Sequence, residues 1–177
     1  MRILLADPPR KGSYYHANFP NLGLLYLVSS LRNKFGPSVR VKYLDGLRGL
    51  EDHLRAVEAF RPDLYGLSFA YFTRNLAYDV MRRVKGRFPG LPVICGGAMP
   101  SAVPWEVLSE SPADICVRGE GENTVCDLAE HFRGGRGRLK DIPGLVFRDA
   151  DGKAVETALR KPESDLDALP LPPWQEV

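Results

Sequence analysis

The chain has 177 residues, of which 44% are hydrophobic and 26% charged, a composition typical of a globular domain with an apolar core. Its net charge of +2 gives no strongly basic surface of the kind that binds nucleic acid. The longest apolar run, residues 24–28, is too short to cross a bilayer, and Asp7 ends the first apolar stretch too early for a signal peptide. We therefore expect a cytoplasmic protein without nucleic-acid or membrane partners.

Strand and helix patterns alternate along most of the chain. Residues 2–6 form a continuous apolar run, which predicts a strand in the middle of a sheet. Asn21 can cap a helix that ends at Gly36, and residues 39–43 alternate apolar with basic side chains, as an edge strand does. The later predicted elements are strands at 64–69, 92–95 and 115–117, and helices at 50–60, 74–88, 104–108 and 124–132.

These five strand–helix units predict an α/β fold with a five-stranded parallel sheet, because successive parallel strands require right-handed crossovers. An edge strand in second place favours the order 2-1-3-4-5, the flavodoxin-like (Rossmann-type) arrangement. Two more strand patterns flank residues 149–152 and predict a C-terminal β-hairpin, and the proline-rich tail predicts an extended linker. We thus divide the chain into an α/β domain (1–135), a hairpin extension (136–160) and a linker (161–177).

The three cysteines, Cys95, Cys116 and Cys126, lie within apolar strand or helix patterns. Their spacing matches no zinc or iron–sulfur motif, and an odd number of buried thiols fits a reducing compartment better than a disulfide framework. We expect them to be small core residues.

Ligands of open α/β sheets bind beyond the carboxyl ends of the strands, a rim that four segments of this chain reach: 7–15, 68–73, 96–101 and 118–122. The turn after the first strand lacks the glycines of a dinucleotide site and the hydroxyls of a flavodoxin phosphate loop, and the chain contains no P-loop motif. Ser68 and Arg118 stand where a phospho-receiver domain has aspartate and lysine. These absences favour a large ligand, with Ser68 and the pair Gly96-Gly97 lining a slot for a flat group.

Seven short motifs carry a family resemblance that runs the length of the chain. They are Asp7-Pro8-Pro9, Pro20-Asn-Leu-Gly-Leu24, Arg61-Pro-Asp-Leu-Tyr-Gly-Leu-Ser68, Pro92-Val-Ile-Cys-Gly-Gly97, Arg118-Gly-Glu-Gly-Glu122, Asp141-Ile-Pro-Gly-Leu145 and Asp165-Leu-Asp-Ala-Leu-Pro170. In this order they resemble the N-terminal cobalamin-binding domain of cobalamin-dependent radical S-adenosylmethionine enzymes. Each motif alone is weak, and the match depends on their order.

The resemblance implies that cobalamin (vitamin B12) is the cofactor and assigns roles at the rim. Ser68 would face the nucleotide tail and Gly96-Gly97 would let it pass, so that the dimethylbenzimidazole base lies in the slot and the corrin ring across the strand ends. Tyr71, Phe72 and Met99 would pack on the ring edge. The residues assigned to cofactor binding are Pro9, Arg10, Lys11, Tyr14, Gly66, Ser68, Phe69, Ala70, Tyr71, Thr73, Gly96, Gly97, Ala98, Met99, Arg118, Gly119, Glu120 and Gly121.

The chain departs from cobalamin domains of the methionine-synthase type in its first loop. Those domains carry a D-x-H-x-x-G motif whose histidine coordinates cobalt, and here Pro9 stands at the histidine position. We therefore expect base-off cobalamin without a histidine from this motif and assign no metal ligand. His16, four residues beyond Gly12, remains an alternative ligand, although a loop histidine is more often simply solvated.

Several site residues also have ordinary structural interpretations. Gly96-Gly97 can form a tight turn, Ser68 can bond to nearby backbone, and Glu120 and Glu122 can stabilise a helix start. Arg118 can pair with one of these glutamates or with a corrin amide or phosphate. Arg10 and Lys11 can contact the cofactor phosphate or water.

The resemblance further implies that the domain presents cobalamin to a radical S-adenosylmethionine domain for methyl transfer. That partner domain would bind a [4Fe-4S] cluster and S-adenosylmethionine through a C-x-x-x-C-x-x-C motif, which this chain lacks. We therefore name no catalytic residue and expect catalysis only in a parent protein, a radical S-adenosylmethionine methyltransferase or a related enzyme. One alternative is a cobalamin-free degenerate or sensor domain of the same fold. Another is a flavodoxin-type enzyme, but the chain lacks the hydroxyl-rich phosphate loop that such an enzyme needs.

Overall fold

A seven-stranded sheet with helices on both faces makes up the computed structural model, which describes residues 1–9, 19–46, 49–134 and 137–176. The strands are β1 (Arg2–Ala6), β2 (Arg40–Leu44), β3 (Leu64–Ser68), β4 (Val93–Gly96), β5 (Ile115–Val117), β6 (Leu145–Arg148) and β7 (Ala154–Glu156). The helices are α1 (Leu22–Phe35), α2 (Leu50–Phe60), α3 (Arg74–Arg87), α4 (Ala98–Ala102), α5 (Pro104–Glu110) and α6 (Glu122–Phe132).

The strand order confirms the flavodoxin-like arrangement. It runs β2-β1-β3-β4-β5-β6-β7, with β1 to β5 parallel and β2 at one edge, as its alternating basic side chains predict. The sheet has seven strands where the sequence predicts five, because the C-terminal hairpin continues it. β6 pairs antiparallel with β5, opposing Leu145 to Val117, and β7 forms the other edge.

Most predicted helices are present within about two residues of their expected bounds. The exception is α4, which follows Gly97 directly and contains Pro100, a residue that sequence patterns rarely place in a helix. Proline is tolerated there because α4 has only five residues and its first turn leaves backbone N–H groups unbonded in any case.

Two cores lie on opposite faces of the sheet, because side chains alternate along each strand. On β3, Leu64 and Gly66 face the helices α1 and α6, whereas Tyr65 and Leu67 face α2, α3, α4 and α5. On β4, Ile94 faces α1 and α6 and Cys95 the other layer.

The cysteines are free and buried, which confirms the interpretation of Cys95, Cys116 and Cys126 as core residues. Cys95 and Cys116 are neighbours across β4 and β5, with their Sγ atoms 3.4 Å apart. Their mutual hydrogen bond and their burial raise the pKa of the Cys95 thiol well above its usual value, so that it stays protonated.

The position of His53 in a helix pattern predicts a surface residue, and this prediction is wrong, because the structure buries the side chain completely. Its Nδ1 lies 2.7 Å from the Tyr65 hydroxyl, and this one hydrogen bond is what allows a polar ring into the core between α2 and β3. Sequence periodicity misses such residues because it treats every histidine as polar.

Candidate functional site

The carboxyl ends of β3 and β4 present very small side chains toward α1 and α6. Ser68 lies beside Gly96 in the parallel register, and Gly66 precedes them on the same face. Where Leu64 and Ile94 fill the space between sheet and helices, these residues leave it open. The alternation of the strands thus turns three small residues into a slot at the rim.

This slot has a volume of about 190 Å³ and lies between the sheet, the start of α1 and the start of α6. Its floor is apolar and buried, whereas Ser68 and Glu122 are half-buried and Glu120 is exposed. The residues that line it are Leu5, Gly23, Leu24, Leu27, Gly66, Leu67, Ser68, Ile94, Cys95, Gly96, Gly97, Val117, Gly119, Glu120, Gly121, Glu122 and Val125. Whole-ligand pockets usually hold roughly 300–1,000 Å³, so the slot suits one flat apolar part of a larger molecule.

A wider groove of about 370 Å³ adjoins the slot at the top of the sheet and shares Ser68 and Gly97 with it. Its lining residues are Asp7, Pro8, Phe19, Pro20, Asn21, Ser68, Phe69, Ala70, Phe72, Thr73, Gly97 and Ala98. Two aromatic side chains nearby are mostly exposed, Tyr71 at 63% and Phe72 at 65%. Together, slot and groove can receive a flat ligand on the rim with one part inserted beneath it.

Gly96 and Gly97 are adjacent but are glycine for different reasons. Gly97 has a φ of 99°, and a Cβ there would lie 2.7 Å from the backbone oxygen of Phe69, so the fold itself requires glycine. A Cβ on Gly96 would meet only Val117, whose Cβ would lie 3.7 Å away, an ordinary contact. Because the protein has room for a side chain at Gly96 and carries none, this position keeps the slot open.

The first turn of α1 is tied to the end of β1 by a polar network. Asn21 caps the helix by accepting a hydrogen bond from Leu24 N at 3.2 Å, which confirms its predicted role. The Asn21 side chain donates to the buried carboxylate of Asp7 at 2.7 Å, and the Tyr43 hydroxyl donates to the same carboxylate at 2.9 Å. Burial and the neighbouring Asp7 carboxylate raise the pKa of Tyr43, so its hydroxyl keeps the proton that it donates.

The start of α6 forms the opposite wall of the slot. Gly121 precedes α6 and approaches α1 so closely that a Cβ would lie 3.0 Å from Leu27 Cδ2. Thr124 is completely buried, and its hydroxyl accepts a hydrogen bond from Arg160 Nε at 2.7 Å. Arg160 also pairs with Asp127, so the chain after the hairpin is anchored to this wall.

Of the residues that the sequence assigns to the site, most of those that are described meet at the slot or groove. Gly66, Ser68, Gly96, Gly97, Gly119, Glu120 and Gly121 line the slot, and Phe69, Ala70, Thr73 and Ala98 line the groove. Arg10, Lys11 and Tyr14 lie outside the described residues, as does the alternative cobalt ligand His16.

Four of the assigned residues have side chains that are buried or are paired within the protein. Met99 is 3% exposed and belongs to the core on the far face of the sheet. Phe69 is likewise buried, with its ring edge-on to Tyr78. Arg118 forms an ion pair with Glu156 of β7, and Pro9 is buried and lines neither cavity.

Sequence reasoning missed the side chains that wall the slot. Leu24, Leu27 and Val125 belong to helix stripes that it assigns to the core, and Leu5, Ile94 and Val117 to strands. Their positions could have indicated this role. Each lies in the part of its strand or helix nearest the rim, where apolar side chains of the core also face a ligand bound at the carboxyl ends of the strands.

Among the described residues, the structure contains no group of three or more histidine, cysteine or acidic side chains arranged to hold a metal ion. In the same part of the chain, we find no helix with the length and apolar character needed to span a membrane.

Comparison with known proteins shows the family. The family model of the B12 binding domain matches residues 13–129. An uncharacterized methyltransferase of Pyrococcus horikoshii is 31% identical over 181 residues, which cover 98% of this chain and 38% of that protein. The anaerobic magnesium-protoporphyrin IX monomethyl ester cyclase of Rubrivivax gelatinosus is 28% identical, over 98% of this chain and 32% of the cyclase. The chain thus spans about a third of the length of these curated relatives.

Solved structures show the same fold. The cobalamin-dependent S-adenosylmethionine radical enzyme OxsB, with aqua-cobalamin and S-adenosylmethionine bound, superposes with a TM-score of 0.77 at 20% identity, over 91% of this chain and 22% of OxsB. The radical S-adenosylmethionine methyltransferase TsrM of Kitasatospora setae, with cobalamin and a [4Fe-4S] cluster bound, gives 0.74 at 22% identity, over 97% of this chain and 31% of TsrM. With a family model that matches about two thirds of its length and a slot at the rim of a flavodoxin-like sheet, this chain belongs to the B12-binding domain family.

Proposed function

We propose that this chain binds cobalamin in the base-off form, with the nucleotide tail in the slot and the corrin ring over the groove. The observation that carries the proposal is the slot beside Gly96, where the chain itself leaves room for a side chain and has none. The described residues fit the cofactor, since a flat apolar base matches the buried floor and a broad ring matches the open groove.

Each part of the rim has a task in this arrangement. The apolar walls at Leu24 and Val125 would exclude water from the base, and the Ser68 hydroxyl would hydrogen-bond to the tail. Tyr71 and Phe72, which are exposed beside the groove, would cover apolar edges of the ring. The bound cofactor supplies a cobalt centre that can accept and release a methyl group.

The described residues near the groove support a cofactor whose cobalt takes no histidine ligand from them. Pro9 occupies the position at which the related motif has histidine, and a proline side chain cannot ligate cobalt. Among the described histidines, His53 on α2 is buried in the core and His131 lies near the C-terminal end of α6. Neither lines the slot or the groove.

We further propose that the parent protein places a radical S-adenosylmethionine domain over this rim and uses the cofactor for methyl transfer. Support comes from the relatives, which are longer than this chain and include an uncharacterized methyltransferase, and from the two radical enzymes that share its fold. The [4Fe-4S] cluster and S-adenosylmethionine would belong to that other domain. Within this chain, the rim would serve to hold and orient the corrin.

The direct test is a titration of the purified chain with hydroxocobalamin, followed by visible absorbance and equilibrium dialysis. We expect saturable binding, and nitrogen splitting from the base should be absent from the electron paramagnetic resonance spectrum of the reduced cofactor. A chain that folds but binds no corrinoid would refute the proposal and favour the degenerate or sensor domain.

Gly96→Val probes the slot, since a β-branched residue suits a strand and its Cβ would make only an ordinary contact with Val117. We expect cobalamin affinity to fall at least tenfold, while the free energy of unfolding in urea changes little. Gly86→Val is the matched control, because Gly86 lies on α3 with open space where its Cβ would stand and should leave affinity unchanged. Gly97 is unsuitable for this purpose, since any side chain there strains the backbone.

A further inference from the structure

The floor of the slot offers no polar side chain to a buried guest. The floor is formed by side chains that are each at most 8% exposed and that present hydrocarbon to the cavity: Leu5, Leu24, Ile94, Val117 and Val125. A ring that reaches this floor loses its water and finds no hydrogen-bond partner among these side chains.

The backbone N–H and C=O groups of the floor are also engaged in the hydrogen bonds of the sheet. β3 pairs with β1 on one side and with β4 on the other, and β4 pairs in turn with β5. The peptide groups of Gly66 and Ile94 therefore lie within ladders of the sheet, where their hydrogen bonds run in the sheet plane, across the direction of the slot.

Polar groups of the slot gather near its opening. Ser68 lies at the carboxyl end of β3, where the slot meets the groove. Glu120 and Glu122 lie at the start of α6, and both are at least partly exposed. The polar side chains that line the slot thus serve the part of a guest near the opening, whereas the part that reaches the floor must be apolar.

Resting on the proposed function, we infer that this slot selects corrinoids with a benzimidazole-type tail over those with a purine-type tail. A base-off dimethylbenzimidazole has a single free ring nitrogen, and its methyl groups suit the floor. Adenine has several free ring nitrogens and an amino group, which would be desolvated against Leu5, Ile94 and Val125 without partners. The chemistry of the floor thus specifies which lower base the protein accepts.

The test compares three corrinoids on the 177-residue chain by equilibrium dialysis: cobalamin, the adenine-tailed cobamide, and cobinamide, which has no nucleotide tail. We expect the adenine-tailed form to bind at least tenfold more weakly than cobalamin. Equal affinities for the two tailed forms would overturn the inference and leave cobalamin binding intact. Failure of all three to bind would instead refute the proposed function.

A pair of isosteric variants locates the selectivity. Val125→Thr puts a hydroxyl on the floor of the slot, and we expect it to narrow the affinity ratio between the two tailed corrinoids at least threefold. Val28→Thr makes the same change at a buried position on α1 that does not line the slot, and it should leave the ratio unchanged. An unchanged ratio in Val125→Thr, or equal changes in both variants, would show that the floor does not set the preference.

Discussion

His53 and Tyr65 form a buried polar pair between α2 and β3. Their single hydrogen bond of 2.7 Å serves His53 Nδ1, whereas Nε2 is buried without a partner among the described residues. Burial lowers the pKa of His53 to about 4, and burial also raises the pKa of Tyr65, so both side chains are neutral in the folded protein near neutral pH.

This pair predicts an acid-sensitive fold. Above pH 6.5, His53 is neutral in both the folded and the unfolded chain, and its contribution to stability is fully present. As the pH falls toward about 4, the unfolded chain takes up the proton first, so the free energy of unfolding should drop by up to about 1.4 kcal/mol per pH unit. Urea denaturation at a series of pH values measures this slope.

Two variants separate His53 from other titrating groups. His53→Gln should flatten the slope between pH 6.5 and about 4, whereas His131→Gln, at the end of α6, should retain it. The same steep slope in His53→Gln would mean that another group causes the acid sensitivity.

Among the elements, the start of α1 depends on the network around Asp7. The carboxylate accepts hydrogen bonds from Asn21 and from Tyr43 on β2, and so joins β1, β2 and the helix that walls the slot. Asn21 N in turn donates to the Tyr43 hydroxyl at 3.1 Å. Positioning of the slot wall is therefore linked to an edge strand that lies outside the slot.

Tyr43→Phe tests this link. Loss of a hydroxyl that donates to a buried carboxylate should lower the free energy of unfolding by about 1.5–3 kcal/mol and should weaken cobalamin binding. Urea denaturation and corrinoid titration measure the two effects. Tyr26→Phe, on α1, is the control, and comparable losses in both variants would argue against a specific role for the network.

Over the whole molecule, the hairpin completes the sheet. Leu145 and Val146 of β6 are fully buried, and they contribute to the cores on opposite faces of the sheet. The hairpin therefore packs against the α/β domain as further strands of one sheet, and we expect the two to unfold together.

Leu145→Ala measures this coupling. The cavity should cost about 2–5 kcal/mol, and the loss should appear in a single transition seen equally by circular dichroism and by the fluorescence of Trp105 on α5, in a Trp174→Phe background. An early transition that leaves the Trp105 signal unchanged would instead support the hairpin as an independent unit, as the division at residue 135 predicts.

Sequence patterns alone predict the order of strands and helices, the edge position of β2 and the rim at which Ser68, Gly96 and Gly97 meet. These depend on local signals: apolar periodicity, capping residues, and glycines at strand ends. The seven motifs also predicted the family, because their order along the chain can be read from the sequence alone.

The packing of the folded chain was needed to show which side chains face the slot. Leu24 and Val125 share the pattern of ordinary core residues, yet they wall the cavity, whereas Met99 is adjacent to the rim in sequence and points into the opposite core. The structure also distinguishes the role of Gly96 from that of Gly97. The distance from an added Cβ to Val117 or Phe69 depends on segments that are far apart in the sequence. Periodicity reports that a side chain is buried, and only the packing of neighbouring elements determines what it is buried against.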